Sequence, residues 1–207
     1  MIPVIIILLL TISAYFMGNI IRKKATYFYI AVFILGVVAF IFRESSIFYF
    51  VNQGFLGFGF FYLVMFAGAL SNKSKLRKKL VGVRKEFSIL GFLSITPHAI
   101  GKLALILSGD IAFALFGIAT FVLMIPLFIT SFTYIRKRMT YKSWKKLQSI
   151  AYLVYSLVLI HLIINYTQRS ALILYIVLFA VYFIFKFIYE FKKYKSKLNK
   201  KKTLREE

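Results

Sequence analysis

The chain has 207 residues, of which 61% are hydrophobic and 19% aromatic, and its mean hydropathy is +0.82. Soluble globular domains are about 45–50% apolar, so a water-soluble fold is excluded. Spans of about 20 residues with short connections allow roughly six or seven transmembrane helices in this length, and we expect no appended nucleotide-binding domain within it. The net charge is +22, and the lack of cysteine excludes disulfides, iron–sulfur clusters and thiol catalysis.

Seven apolar segments follow one another along the chain, and we expect each of them to be a transmembrane helix. They cover residues 2–21, 27–42, 55–70, 87–107, 111–135, 149–167 and 171–189. Gly54, Gly57 and Gly59 at the start of the third segment lack the strand–turn–helix context of a dinucleotide site, and close helix packing explains them better. The sequence therefore predicts an all-α bundle: one transmembrane domain over residues 1–190, then a basic cytoplasmic tail over residues 191–207.

The basic residues give an independent prediction of topology, because Lys and Arg near span ends mark the cytoplasmic side. Alternate gaps hold 25 of the 28 basic residues, while the intervening places hold one each, at Arg43, Lys102 and Arg169. Seven spans with an outside N-terminus and an inside C-terminus produce this alternation. The positive charge thus reflects topology rather than nucleic-acid binding. We expect a multi-pass protein of the cell membrane, which in bacteria is the cytoplasmic membrane. Its immediate partners would be membrane lipids.

The two histidines of the chain, His98 and His161, both lie inside predicted spans, where ionisable groups are costly and usually functional. Counted from the inner ends of their helices at about 1.5 Å per residue, they stand roughly 17 and 20 Å into the membrane, nearly at one level. Two neutral imidazoles at one depth match the axial ligation of haem b. Zinc and di-iron sites need further ligands, and all six carboxylates lie at or beyond span ends. The open alternative is that each histidine only bonds a neighbouring hydroxyl, such as Ser94 or Ser156.

Three stretches resemble the ferric reductase-like transmembrane family, and within it most closely the MsrQ subfamily. Residues 84–88 (Arg-Lys-Glu-Phe-Ser) followed by His98 look like the family's Arg-Arg-x-Leu-Gly run and its histidine ten residues after the Gly. Residues 126–131 (Pro-Leu-Phe-Ile-Thr-Ser) resemble its Pro-Leu-x-x-Thr-Ser helix end. Residues 144–152 with His161 are similar to its Trp-x-x-Leu-His-x-x-x-Tyr stretch and second histidine. The resemblance implies a ferric reductase-like core over residues 84–167, with six helices as a possible alternative count.

Two departures from the family pattern matter. Gln148 stands where the family has a histidine, and Ser88 replaces the expected Gly. Since an amide is a poor haem ligand, we expect one haem b, held by His98 and His161, and a second haem is disfavoured.

The resemblance implies a membrane electron-transfer subunit rather than a complete enzyme. Its donor would be a quinol, or a flavin or flavoprotein, and its acceptor an extracytoplasmic protein or metal ion. Lys102 and Arg169, expected on the outer side, are candidates to pair with a haem propionate, although interface snorkelling explains them equally well. The alternative from a different class is a haem-free scaffold or small transporter that kept the fold without redox activity.

Overall fold

The computed structural model describes residues 1–110, 114–165 and 168–206, and within these residues the chain is helical with no strand. The predicted boundaries at residues 111 and 167, and Glu207 of the predicted tail, lie outside the described residues. A single 3₁₀ turn (Ser46–Phe48) precedes the third helix. The helices are α1 (Ile2–Lys23), α2 (Ala25–Ile41), α3 (Tyr49–Asn52), α4 (Phe55–Phe66), α5 (Lys75–Gly82), α6 (Arg84–Leu107), α7 (Leu115–Ile129), α8 (Thr133–Arg136), α9 (Tyr141–Gln148), α10 (Ile150–Asn165) and α11 (Arg169–Glu206).

Five helical stretches of the described chain are long and apolar enough to cross a membrane. They are Ile2–Lys23, Ser46–Phe66, Arg84–Leu107, Tyr141–Asn165 and Arg169–Ser196. The other two predicted segments coincide with the shorter apolar helices α2 and α7. The prediction of an all-α, multi-pass membrane bundle is thus confirmed, while the count of seven spans stays a prediction.

Apolar side chains cover the outer surface of the bundle as well as its interior. On α1, Leu8, Leu9 and Phe16 are 56%, 61% and 77% exposed. In water such a surface would drive aggregation, whereas in a bilayer it faces lipid tails. The protein is therefore a membrane-embedded one with lipid as its immediate environment.

Helix α4 lies at the centre of the bundle because its glycines let neighbouring helices approach closely. A Cβ atom on Gly57 would lie 3.0 Å from the backbone nitrogen of Ile95 on α6, and one on Gly59 would lie 2.7 Å from Cγ2 of Ile6 on α1. Both positions therefore require glycine. The prediction that these glycines serve close helix packing is confirmed.

Side-chain hydrogen bonds to main-chain carbonyls hold the ends and crossings of the helices. Arg77 of α5 donates to the carbonyl oxygens of Ala67 and Leu70, at 3.2 and 2.8 Å, just beyond the end of α4. The hydroxyl of Tyr62 on α4 donates to the carbonyl oxygen of Leu178 on α11 at 3.0 Å. Arg77 thus ties α5 to the segment that follows α4, and Tyr62 ties α4 to α11.

Candidate functional site

A cavity of about 670 Å³ lies among α4, α6, α7, α10 and α11, and both histidines line it. His98 projects from α6 and His161 from α10. The volume falls within the roughly 300–1,000 Å³ typical of small-molecule and cofactor pockets. Aromatic and aliphatic side chains form most of its wall, among them Phe55, Phe58, Phe61, Ile95, Phe121 and Val158. The bundle thus brings the two predicted ligands to one apolar chamber.

The imidazole of His98 is oriented by a main-chain carbonyl. Its Nδ1–H donates to the carbonyl oxygen of Asn52, the last residue of α3, at 2.9 Å. A carbonyl only accepts, so this bond fixes the neutral tautomer with its proton on Nδ1. The other nitrogen, Nε2, keeps its lone pair for a metal or another donor.

A glycine with a left-handed backbone lies against the same ring. Gly54 has φ = +75°, and a Cβ atom there would lie 3.2 Å from Cγ of His98 and 2.8 Å from Cδ1 of Ile95. A larger residue at this position would strain the backbone and also displace the imidazole.

His161 also lies against a glycine, but with the edge of its ring that carries both nitrogens. A Cβ atom on Gly117 of α7 would lie 2.8 Å from Cε1 and 3.0 Å from Nδ1 of His161. The imidazole therefore occupies the space that the missing side chain leaves. Each histidine thus lies against a glycine of a neighbouring segment.

The hydrogen-bond partner of His161 differs from that of His98. Nδ2 of Asn165, one turn along α10, lies 3.1 Å from Nδ1 of His161 and donates to the carbonyl oxygen of His161 at 2.8 Å. With an amide donor facing Nδ1, this nitrogen accepts and Nε2 carries the proton. Ligation through Nε2 requires the exposed Asn165 amide to rotate, so that its oxygen accepts from Nδ1–H.

Lys102 and Arg169, the two predicted propionate partners, are placed differently. Lys102 lines the cavity one turn beyond His98 on α6. Arg169, the first residue of α11, is not among the described residues that line the cavity. The role of either residue toward a propionate stays a prediction.

The hydroxyls that offered a purely structural explanation for the histidines bond elsewhere. Ser94 donates to the carbonyl oxygen of Leu90 at 2.7 Å, and Ser156 donates to that of Tyr152 at 3.1 Å. Each serine thus bonds the preceding turn of its own helix, and the histidines have Asn52 and Asn165 as partners instead. This alternative, as posed from the sequence, is wrong.

The residues present fit a bis-imidazole haem. Two imidazoles from separate helices border one apolar chamber, and no cluster of three or more His, Cys, Asp or Glu occurs among the described residues, as a closed zinc site would require. Thr120 also lines the chamber; it is 7% exposed, and its hydroxyl has no hydrogen-bond partner among the described residues. An unpaired buried hydroxyl costs about 1–3 kcal/mol, which favours a bound molecule as its missing partner.

At the C-terminal end of α7, Gln148 and Trp144 both form hydrogen bonds with Thr130. Nε2 of Gln148 donates to Oγ1 of Thr130 at 3.0 Å, and Nε1 of Trp144 donates to the carbonyl oxygen of Thr130 at 3.2 Å. Thr130 follows the last residue of α7, where carbonyls lack helical partners. The residue that replaces the family histidine therefore joins α9 to α7.

The matched family is described as "ferric reductase like transmembrane component", and the match covers residues 53–159. This range is more than half of the chain and includes His98, although His161 lies two residues beyond it. An uncharacterised protein of Treponema pallidum (strain Nichols) is 34% identical over 113 residues, which cover 49% of this chain and 31% of that protein. No solved structure matches the chain.

The chain belongs to the ferric reductase-like transmembrane family. The predicted resemblance to that family is confirmed. The matched range begins before α4, so it includes helices that the three sequence motifs did not reach.

Four residues of the site were missed by the sequence analysis: Asn52, Gly117, Thr120 and Asn165. Asn52 and Gly117 act on a histidine from another segment, so nothing local to the histidine indicates them. Asn165 stands four residues after His161, a spacing that places both side chains on one helical face. That spacing is the one signal that was available.

Proposed function

We propose that this chain is a haem b-binding integral membrane protein that passes electrons from a quinol, or from a flavin or flavoprotein, to an extracytoplasmic acceptor. The observation that carries the proposal is that the only two imidazoles of the chain line one cavity from different helices. When bound, haem b supplies a one-electron carrier that alternates between ferric and ferrous iron.

The chain's own residues would hold the cofactor and keep water away from it. His98 and His161 would hold the haem iron through their imidazole nitrogens, and the aromatic wall of the cavity would exclude water from it. Lys102, which lines the outer part of the cavity, is placed to pair with a carboxylate such as a propionate. A haem held by two imidazoles would supply electron transfer rather than oxygen binding.

A single haem is supported by what fills the inner half of the bundle. Phe92 stacks on Phe121 and on Phe128, with ring centroids 5.3 and 4.2 Å apart, and Phe128 meets Phe132 edge to face at 5.1 Å. This column extends from the cavity wall to the end of α7, and Gln148 closes the bundle beside it. Side chains thus occupy the region in which a second porphyrin would need space.

A quinol donor is supported by an apolar opening of the cavity toward the lipid. Ile100 and Leu103 of α6 and Val122 of α7 line the cavity and are 46%, 43% and 54% exposed. A molecule dissolved in the bilayer could reach the cavity between these helices. A flavin or flavoprotein at the inner surface would instead face the aromatic column, so it is the less favoured donor.

An acceptor on the outer side is supported by a second, smaller cavity. It measures about 190 Å³, borders His98 and is lined by Arg43, Glu44 and Lys102. These charged residues lie at the end of the bundle that the charge pattern assigns to the outside. An extracytoplasmic protein or metal ion docking there would be adjacent to a haem ligand.

The proposal is tested by electron transfer in vesicles. Purified protein reconstituted with haem would be mixed anaerobically with a reduced quinol, and the reduced α band followed; reduced flavin would be the parallel donor. We expect the quinol to reduce the haem, and a ferric chelate outside the vesicles to reoxidise it. Haem that neither donor reduces would contradict the electron-transfer function, whereas reduction by flavin alone would contradict only the quinol donor.

The haem-free scaffold or small transporter remains the competing function. The structural use of Gln148 favours it, because one family histidine has been replaced by a residue that only holds helices together. The paired glycine cradles oppose it, since a scaffold has no need to keep Gly54 and Gly117 against imidazoles. A colourless preparation from haem-replete cells would favour the scaffold.

A further inference from the structure

We infer that Asn52 is a positioning residue for His98, and that its side chain fixes the carbonyl that sets the orientation and basicity of the imidazole. This inference rests on the haem-binding function proposed above. It assigns a role to a residue that contacts no cofactor directly in the proposed site and acts only through the histidine.

Asn52 makes hydrogen bonds in two directions at once. Its carbonyl oxygen accepts from Nδ1 of His98 at 2.9 Å. Its side-chain amide nitrogen donates to the carbonyl oxygen of Ala39 at 3.1 Å and lies 3.5 Å from that of Arg43. One residue thus joins the end of α2 to the ring on α6.

The side-chain bond has a clear physical reason. Ala39 lies in the last turn of α2, where carbonyl oxygens have no helical partner, and it is fully buried. In a membrane such a carbonyl is costly to leave unpaired, so the Asn52 amide is held in place. The main chain of Asn52 is held with it, and this bond adds to the packing of α3 on α6, where the neighbouring Val51 is buried.

The loop that carries the carbonyl also lies directly against the imidazole. Gly54, two residues further on, is the glycine whose Cβ would lie 3.2 Å from Cγ of His98. The ring is therefore bonded at Nδ1 and packed at Cγ by the same short segment. Movement of this segment would turn the ring and lengthen its hydrogen bond together.

The expected chemical effect follows from the role of outer-shell acceptors. An acceptor at Nδ1–H fixes the tautomer and makes Nε2 a stronger donor, and loss of such partners typically costs about 10–100-fold in metal affinity. A stronger nitrogen donor favours ferric over ferrous iron. Loosening the carbonyl should therefore weaken haem binding and raise the midpoint potential.

The test compares Asn52→Ala and Asn52→Gln with the control Asn72→Ala. Asn72 lies at the other end of the bundle, where its Oδ1 accepts from the hydroxyl of Tyr189 at 3.3 Å. For each protein we would measure haem transfer to an excess of haem-free globin, the midpoint potential, and the low-spin ferric resonance. Thermal unfolding without haem would separate a loss of overall stability from a loss of positioning.

We expect Asn52→Ala to bind haem about 10–100-fold more weakly. If the ferric affinity falls tenfold more than the ferrous affinity, the midpoint potential rises by about 59 mV. The ferric resonance should broaden because the ring angle is no longer fixed. Asn52→Gln, which keeps an amide donor, should lie nearer to the parent, and Asn72→Ala should match it.

Unchanged haem affinity, potential and resonance in folded Asn52→Ala would overturn the inference while leaving haem binding intact. A parent protein without haem would instead overturn the proposed function. Should Asn52→Ala fail to fold, Asn52→Ser takes its place, because its shorter hydroxyl cannot reach the Ala39 carbonyl as the amide does. The same losses are expected there, and their absence would count equally against the inference.

Discussion

Both histidines of the cavity pack against a glycine, and each imidazole occupies space that a side chain at that glycine would fill. His98 packs against Gly54 and His161 against Gly117, and in both cases a Cβ atom on the glycine would press on the imidazole. Ligand geometry in such a site depends on positions with no side chain at all. The effect of a single added methyl group, as in a glycine-to-alanine substitution, on haem affinity can therefore be predicted.

Gly117→Ala should weaken haem binding by at least about tenfold, because its Cβ atom would lie 2.8 Å from Cε1 of His161 and force the ring to move. The matched control is Gly101→Ala on α6, where a Cβ atom meets nothing within 4 Å. Alanine is otherwise favoured over glycine in a helix by roughly 1 kcal/mol, so the control should be as stable as the parent or more so. Haem titration of both proteins checks this, and equal affinities would contradict the cradle.

At the residue scale the sequence pointed to both histidines of the cavity but not to the residues that surround them. His98 and His161 were recognisable because ionisable groups inside spans are rare and because their depths matched. Lys102, expected near the histidines, lines the same cavity, and its role toward a propionate stays a prediction. Gly117 and Asn52 could not be found, because contacts between distant helices depend on rotation and register, which periodicity alone does not give.

At the scale of elements, α7 and the segment that follows it show how the inner half of the bundle is closed. Aromatic rings stack between α6 and α7, and Gln148 and Trp144 both donate hydrogen bonds to Thr130. The substitution at Gln148 was visible in the sequence as a departure from the family pattern. Its hydrogen-bond partner was not.

Gln148→His should not add a second haem, because the aromatic column fills the inner half and no histidine is available opposite the new one. The haem content should stay at one per chain by pyridine haemochrome assay. Stability should fall by about 1 kcal/mol, as the bond to Oγ1 of Thr130 is lost. A content of two haems per chain would show that the inner half is open after all.

The elements also show where hydropathy alone misjudged a boundary. The third span was expected over residues 55–70, but the helical stretch runs from Ser46 to Phe66 and bends at the left-handed Gly54. Asn52 and Gln53 lower the hydropathy near the beginning of this stretch, so hydropathy alone placed the start of the span too late. The bend is also what brings Asn52 to His98, so the misjudged boundary is part of the site.

At the scale of the whole molecule, the orientation in the membrane decides which end of the bundle would face the proposed acceptor. The alternation of basic gaps predicts an outside N-terminus and places His98 and the smaller cavity toward the outer face. The long helix α11 continues to Glu206 and thus carries the predicted basic tail as a helix rather than as an unstructured end.

Topology can be tested cleanly because the chain has no cysteine of its own. Ser46→Cys, in the exposed turn before α3, should react in intact cells with a maleimide that does not cross membranes. Ser71→Cys, exposed after α4, should react only once the membrane is opened. The reverse labelling pattern would contradict the predicted orientation and, with it, the proposed direction of electron flow.

The most direct measurement is the visible spectrum of the detergent-purified protein from haem-replete cells, recorded oxidised and reduced. The account predicts a Soret band with sharp reduced α and β peaks and one haem per chain. His98→Ala and His161→Ala should each lose this low-spin spectrum while keeping the helical content of the parent. A colourless parent, or an unchanged spectrum in both histidine variants, would contradict the claim that these two imidazoles hold a haem.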